Sequence, residues 1–253
     1  MADAARIRAH LNLYALLQNL EELVCLDEQA AEIARSWRVS VQFTVRRGPA
    51  ACLEFDQGTC THRRGRGQAP AVSLLFTSPR HLNGMFDGRG MPIPLKGFTR
   101  LGWLSNEFGR LTSRLESYLK PEDPPADGIC ETLRATLLLQ TAAYGASELA
   151  ALEPTCRTIA ARIPDGVIAV EVLPEGPEIH IAVAGGEFRV AKRPHEAPSA
   201  KLTFRTASIA TAIMDNRLDP FAALATGDLA LAGQIAMIED FLLIMDRVES
   251  FLT

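Results

Sequence analysis

The chain has 253 residues, 47% hydrophobic and 22% charged, a balance that suits a protein with a sizeable core and excludes an intrinsically disordered one. At about 150 residues per domain this length predicts one large domain or two small ones. A net charge of −4 is too mild for a nucleic-acid binder, and no run reaches the roughly 18 apolar residues of a membrane-spanning helix. The opening Met-Ala-Asp-Ala-Ala-Arg lacks the basic and apolar regions of a secretory leader. The expectation is a soluble, cytoplasmic protein with five reduced cysteines.

Taken in chain order, spacing of three and four predicts an opening helix through Ile7, Leu11, Tyr14 and Leu17, with Leu13 and Leu20 alongside, and a second helix from Glu28 to Ser36. Val39, Val41, Phe43 and Val45 alternate as in a strand, and Leu74 and Phe76 mark another. A helix near 79–87, a short strand with Ile93 and Leu95, and a helix over Trp103–Leu119 complete the first half. Residues 120–128, Lys-Pro-Glu-Asp-Pro-Pro-Ala-Asp-Gly, form a proline-stiffened linker. The order then returns: strands with Ile179, Ile181 and Val183 and with Leu202 and Phe204, a helix near 207–216, a strand with Leu229 and Leu231, and a helix over Ile235–Leu252.

This return is a repeat at the level of residues. At an offset of 128, residues 39–92 lie ungapped over 167–220 with 11 identities in 54 positions, which include Gly48-Pro49, Leu74, Phe76, Asp87, Arg89 and Pro92. Upstream, at 126, Arg8-Ala9, Leu11, Leu13, Glu22-Leu23 and Leu26 match Arg134-Ala135, Leu137, Leu139, Glu148-Leu149 and Leu152. Downstream, at 133, Arg114–Leu119 resembles Arg247–Leu252. The expected architecture is α+β: two tandem domains, 1–120 and 127–253, each a mainly antiparallel sheet covered by helices on one side.

Chemistry-bearing motifs are sparse. Cys52, Cys60 and His62 come nearest to a metal cluster, but no second ligand pair follows, and buried thiols are the expectation. His180 falls on the opposite strand face from Ile179 and Ile181, which predicts a solvated histidine. His10, His81 and His195 have no partner in a recognisable catalytic motif. No cofactor is expected. Residues 1–126 carry +3 and 127–253 carry −7, and the first half includes His62-Arg63-Arg64-Gly65-Arg66-Gly67. That run reads as a solvated hairpin tip, with contact to anionic headgroups as the alternative.

The helix Ile235–Leu252 is apolar over more than half its circumference, where a one-sided helix needs a stripe about 100° wide. The excess requires cover by the rest of the chain, a second copy in a homodimer, or an apolar ligand. The segment Ala200–Leu252 resembles the sterol carrier protein type 2 family of lipid-transfer domains. The resemblance is carried by Lys201-Leu202-Thr203-Phe204, Leu218-Asp219-Pro220, Ala223-Leu224 and Thr226-Gly227-Asp228-Leu229-Ala230-Leu231-Ala232-Gly233 ahead of the apolar final helix.

The resemblance implies a hydrophobic tunnel between sheet and helices that holds a fatty acyl chain, sterol, phospholipid or quinone, with no enzymatic activity. It implies a lining of Phe204, Ile213, Met214, Phe221, Leu224, Leu229, Leu231, Met237, Ile238, Phe241, Leu242 and Met245. The partners expected are an apolar small molecule and a transient membrane contact; an interaction module that docks on lipid or quinone enzymes is the alternative. The first half departs from the pattern. It lacks about eight residues corresponding to Phe221–Thr226 and gains about three before its last helix. It is expected to be a degenerate copy with a smaller or more open pocket, whose Trp103, Leu104, Phe108 and Leu111 cover the other domain or meet a membrane.

Overall fold

The computed structural model describes residues 4–120, 129–191 and 197–252; the linker predicted at 120–128, apart from Lys120, and the residues Lys192, Arg193 and His195 lie outside them. Two compact units are present, the first within 4–120 and the second within 129–252. Among the described residues, no helix is long and apolar enough to cross a membrane.

The first unit opens with α1 (Ala4–Leu11), a π turn (Asn12–Leu16), a 3-10 turn (Leu17–Asn19), α2 (Leu20–Leu26) and α3 (Glu28–Ala34). The strands β1 (Arg38–Val45), β2 (Ala50–Asp56), β3 (Thr59–Arg64) and β4 (Val72–Phe76) follow, then α4 (Pro79–Phe86) and β5 (Ile93–Lys96). A 3-10 turn (Phe98–Arg100), α5 (Leu101–Trp103), a second π turn (Leu104–Phe108) and α6 (Gly109–Leu119) close the unit. The second unit contains α7 (Glu131–Leu152), α8 (Pro154–Ala160), β6 (Gly166–Val172), β7 (Glu178–Ala184), β8 (Glu187–Ala191) and β9 (Ala200–Phe204). It ends with α9 (Ala207–Met214), α10 (Pro220–Thr226), β10 (Leu229–Gly233) and α11 (Ile235–Leu252).

The two sheets share one topology, β3-β2-β1-β4-β5 and β8-β7-β6-β9-β10, antiparallel except for the central parallel pairs β1/β4 and β6/β9. Register puts Val39, Val41, Phe43, Leu53, Phe55, Leu74 and Phe76 on one face of the first sheet, where Phe108 reaches Phe43 and Phe55 at ring-centroid distances of 6.5 and 6.2 Å. The equivalent face of the second carries Ile168, Val170, Ile179, Ile181, Phe188, Leu202 and Phe204, and Phe188 lies 5.8 Å from Phe241 of α11. The predicted α+β order is the observed one.

The strand register corrects the repeat in one place. Val41 pairs with Leu53 and Val72, and Ile168 pairs with Ile181 and Ala200, so β1 corresponds to β6 at an offset of 127, while the neighbouring strands keep 128. The ungapped comparison sets Val41 over Ala169, on the wrong face, because a one-residue slip exchanges the two faces of a strand. The extra residue sits in the turn between β6 and β7: Val45 N–H donates to Pro49 O, whereas Val172 N–H reaches Pro177 O, one residue farther.

Several identities of the repeat have a single structural cause. Asp87, at the end of α4, accepts from Arg8 Nη2 of α1 and from Arg89 Nη2, each at 2.7 Å. Asp215, at the end of α9, accepts from Arg134 Nη2 of α7 at 2.6 Å and from Arg217 Nη2 at 2.7 Å. Each unit thus staples its opening helix to the helix after the fourth strand. Arg134 is 3% exposed, and removing Asp215 would take the carboxylate at 2.6 Å from a buried charge. Burial pushes the Asp215 carboxyl up, but the hydrogen bonds and charges of Arg134 and Arg217 outweigh it and hold the group below its ordinary value. Such a carboxylate contributes stability that is complete above the ordinary range near 3.9 and is lost as pH falls through the folded value. Asp215→Ala should therefore lower stability by about 3 kcal/mol at neutral pH, an effect that shrinks in acid; chemical denaturation of both proteins between neutral pH and the acid range checks it.

Candidate functional site

In the second unit, α9, α10 and α11 meet the β9–β10 edge of the sheet. The local sequence explains the path. Thr206 Oγ1 accepts from Ile209 N–H and starts α9. Asp219 Oδ1 accepts from the N–H groups of Phe221 and Ala222 and starts α10, with Pro220 at its first position. Gly227, at φ +77°, ends α10 in the left-handed region and returns the chain to β10. Leu229 and Leu231 of β10 pair with Phe204 and Leu202.

The residues assigned to a lining fall into three groups. Phe204, Leu229, Met237, Ile238 and Phe241 are buried. Ile213, Met214, Leu224, Leu231, Leu242 and Met245 are half-buried, as is the neighbouring Leu218. Phe221 stands apart, 80% exposed on the outer side of α10. Cover on α11 is incomplete too, since Ile235 and Leu243 are 38% and 54% exposed.

Contacts that sequence reasoning missed fix α11. A Cβ at Gly145 of α7 would lie 2.5 Å from Val248 Cγ1, so the missing side chain lets the two helices close. Glu153 starts α8 by accepting from Cys156 N–H, and Arg247 of α11 pairs with the same carboxylate at 3.6 Å. Burial and the Glu153 carboxylate push the Cys156 thiol up to about 12, which makes it an inert core group. A small residue on a helix interior is visible in sequence, but its partner is not.

The remaining candidates resolve by register. Cys60 and His62 pair with Phe55 and Leu53, on the helix-covered face, whereas Cys52 pairs with Gln42 and Arg63 on the other, so the three share no site. Among the described residues no group of three or more His, Cys, Asp and Glu is placed to hold a metal. His180 is 1% exposed, between Ala169 and Ala191, with Nε2 at 2.9 Å from Glu178 Oε1; strand alternation gave its face correctly, but not its burial.

The basic run is likewise no hairpin tip, since the turn between β2 and β3 is at Gln57 and Gly58. Arg63 and Arg64 lie within β3, where Arg63 Nε donates to Glu54 and the Arg64 guanidinium sits 4.4 Å from the Tyr14 ring centroid. The chain beyond folds over the outer sheet face, held by the buried Gln42, whose Nε2 donates to Gly65 O and whose Oε1 accepts from Gly67 N–H. Phe108 and Leu111 are buried in the first unit's own core and are not a free surface, while Trp103, which packs on Trp37 at 4.8 Å, and Leu104 are half-buried. Beside that tryptophan pair the first unit has an open cleft of about 700 Å³, lined by Glu32, Ile33, Arg38, Arg100 and Arg110 among others.

A ubiquinone synthesis protein described as UbiJ-SCP2 is 18% identical, with 38% of this chain and 82% of that one covered at a TM-score of 0.31. The sterol carrier protein domain 2 of Helicoverpa armigera is 16% identical over 40% of this chain and 81% of that one, at 0.32. The chain is similar to sterol carrier protein 2 domains. Each of these neighbours spans about 40% of it. The sec-alkylsulfatase Pisa1 from Pseudomonas sp. also matches, 16% identical over 57% of this chain and 29% of that one, at 0.26. No family model and no curated protein matches.

If close approach of α7 and α11 shapes this region, Gly145→Ala should destabilise the protein by about 1–3 kcal/mol, although alanine favours an isolated helix by about 1 kcal/mol. Val248→Ala in the same chain should restore most of the loss. Thermal unfolding of the single and double variants measures both effects.

Proposed function

We propose that the second unit binds an apolar small molecule (a fatty acyl chain, sterol, phospholipid or quinone) beneath α10, without catalysis, as a cytoplasmic carrier or sequestering protein. The observation that carries this reading is the set of seven apolar side chains, Ile213, Met214, Leu218, Leu224, Leu231, Leu242 and Met245, left half-buried on α9, α10, β10, α11 and the turn between α9 and α10, while Phe204, Leu229, Met237, Ile238 and Phe241 of the same elements and of β9 are buried. Apolar surface in that state gains roughly 25 cal/mol for each further Å² removed from water, and an acyl or ring system supplies the cover. Two of the seven are methionines, whose flexible thioethers adapt to ligands of irregular shape. The packing of α10 supports the reading as well. This helix has seven residues, rests mainly on β10 and is bounded by Asp219 and the left-handed Gly227, so it is a short element set off from its neighbours at the sheet edge. Uptake and release of such a ligand take place at a membrane, which the protein touches transiently.

A module that docks on another protein without a ligand is the competing reading, favoured by the 80% exposure of Phe221. Organic extraction of the purified protein, with mass spectrometry of the extract, and displacement of a fluorescent fatty acid separate the two. The carrier reading predicts a co-purified lipid and displacement at micromolar concentrations. Leu231→Lys and Leu242→Arg, at half-buried positions, should each weaken fatty-acid binding by roughly tenfold or more with the fold retained. Met237→Arg is a poor probe, because Met237 is 1% exposed and the change would bury an unpaired charge. No extracted lipid and no displacement would favour the docking module.

A further inference from the structure

The first unit reaches its edge strand by a different route. After Asp87 and Arg89 the chain passes directly into β5, with no counterpart of α10, and the three added residues form the 3-10 turn Phe98–Arg100. In the second unit α10 packs on β10; the first has no such helix against β5. The surface left there is apolar. Ten large apolar side chains are exposed among the described residues, and five of them, Met91, Ile93, Leu95, Phe98 and Leu101, fall within eleven consecutive positions at 81%, 43%, 55%, 64% and 37%. The other five are scattered along the chain.

The segment is held in place. His81 Nε2 donates to Met91 O at 2.7 Å while its Nδ1 accepts from Thr77 N–H. Gly97 turns the chain at φ +84°, where a Cβ would lie 2.8 Å from Ala71 O, and the residue after it is the 64%-exposed Phe98. Ile93 pairs with Leu75 and Lys96 with Ser73, which sets both on the outer sheet face, and Lys96 Nζ reaches Pro70 O at 2.7 Å.

Charge identifies what this surface meets. From Gly88 to Asn106 there is no acidic residue, and Lys96 and Arg100 stand among the apolar groups; Arg89 is paired with Asp87, and Arg100 also lines the cleft that holds Glu32 and Glu107. Large apolar side chains set among cations suit the interface of an anionic bilayer, where the apolar groups enter the acyl boundary and the cations meet headgroups. Strand addition by a protein partner is disfavoured, because Pro92 and Pro94 remove ladder donors at this edge. We propose that Met91–Leu101 is a membrane-docking surface for bilayers rich in anionic lipid. The surface is separate from the proposed ligand region and does not depend on it.

Co-sedimentation of the full chain with phosphatidylcholine vesicles, with and without about 30% phosphatidylglycerol, tests the proposal. Binding to the anionic vesicles should exceed binding to the neutral ones and fall as salt rises. Phe98→Asp should weaken it roughly tenfold or more, and Arg100→Gln roughly fivefold with a shallower salt dependence. Both side chains are exposed, so melting temperatures should stay within a few degrees of the parent. Phe98→Asp should also leave fatty-acid displacement unchanged, which keeps a failure here distinct from a failure of the carrier reading. Absent or salt-independent vesicle binding, or full binding by Phe98→Asp, would overturn the proposal. So would a finding that Phe98→Asp abolishes self-association in analytical ultracentrifugation while vesicle binding persists.

Discussion

The arginine in the first turn of the apolar helix α7, Arg134, is 3% exposed and is held by a carboxylate. Both units form this pair across about eighty residues of chain: the buried Arg134 reaches Asp215, and the half-buried Arg8 reaches Asp87. A second arginine two residues beyond the aspartate occupies its other oxygen, so the carboxylate is held from both sides. The pair ties the opening helix to the helix that follows the central parallel strands, and thereby fixes where the chain emerges toward the sheet edge. Beyond this point the two units take different routes to their edge strands.

From the same staple the second unit builds α10 and a half-covered apolar region, while the first passes straight to a strand with Pro92 and Pro94 and leaves apolar groups exposed. The helices show the same divergence. Residues 8–26 and 134–152 have equal length, yet the second is within one continuous helix and the first contains a π turn followed by a 3-10 turn. The wide turn uses more residues per revolution and the tight one fewer, so the two offset each other and the repeat keeps its offset of 126. The outer faces of the sheets differ as well: Gln42 holds the Gly65–Gly67 loop across the first, while its counterpart at offset 127, Ala169, lies beside the buried His180 on the second.

Much of this was legible in the sequence because the staple residues and the Gly-Pro turns are constrained by geometry and so match between the copies. Element order followed from periodicity, and the missing α10 and the three added residues from the spacing of Arg89, Leu95 and Trp103. The offset of β1 was missed because the identities at Val39, Gly48 and Pro49 favour the ungapped comparison, although it sets Phe43 over Glu171, whereas an offset of 127 sets Val41, Phe43 and Val45 over Ile168, Val170 and Val172. His180 misled for a related reason: alternation gives a face, but whether that face is covered depends on distant chain. The basic run looked like a loop because its glycines follow Arg64, whereas pairing with β2 makes it a strand. Of the residues proposed to line a ligand region, the burial of Phe204, Leu229, Met237, Ile238 and Phe241 was within reach of residue pattern; the exposure of Phe221 was not, because it depends on which side of a seven-residue helix meets β10.

The proposed division between a ligand-holding second unit and a first unit without that role is tested most directly by amide hydrogen exchange of the whole chain with and without a soluble fatty acid. The fatty acid should slow exchange in Ala207–Met214, Pro220–Thr226 and Leu229–Gly233 and leave the strands and helices of the first unit unchanged. No protection in those three segments, or protection confined to the first unit, would contradict the account.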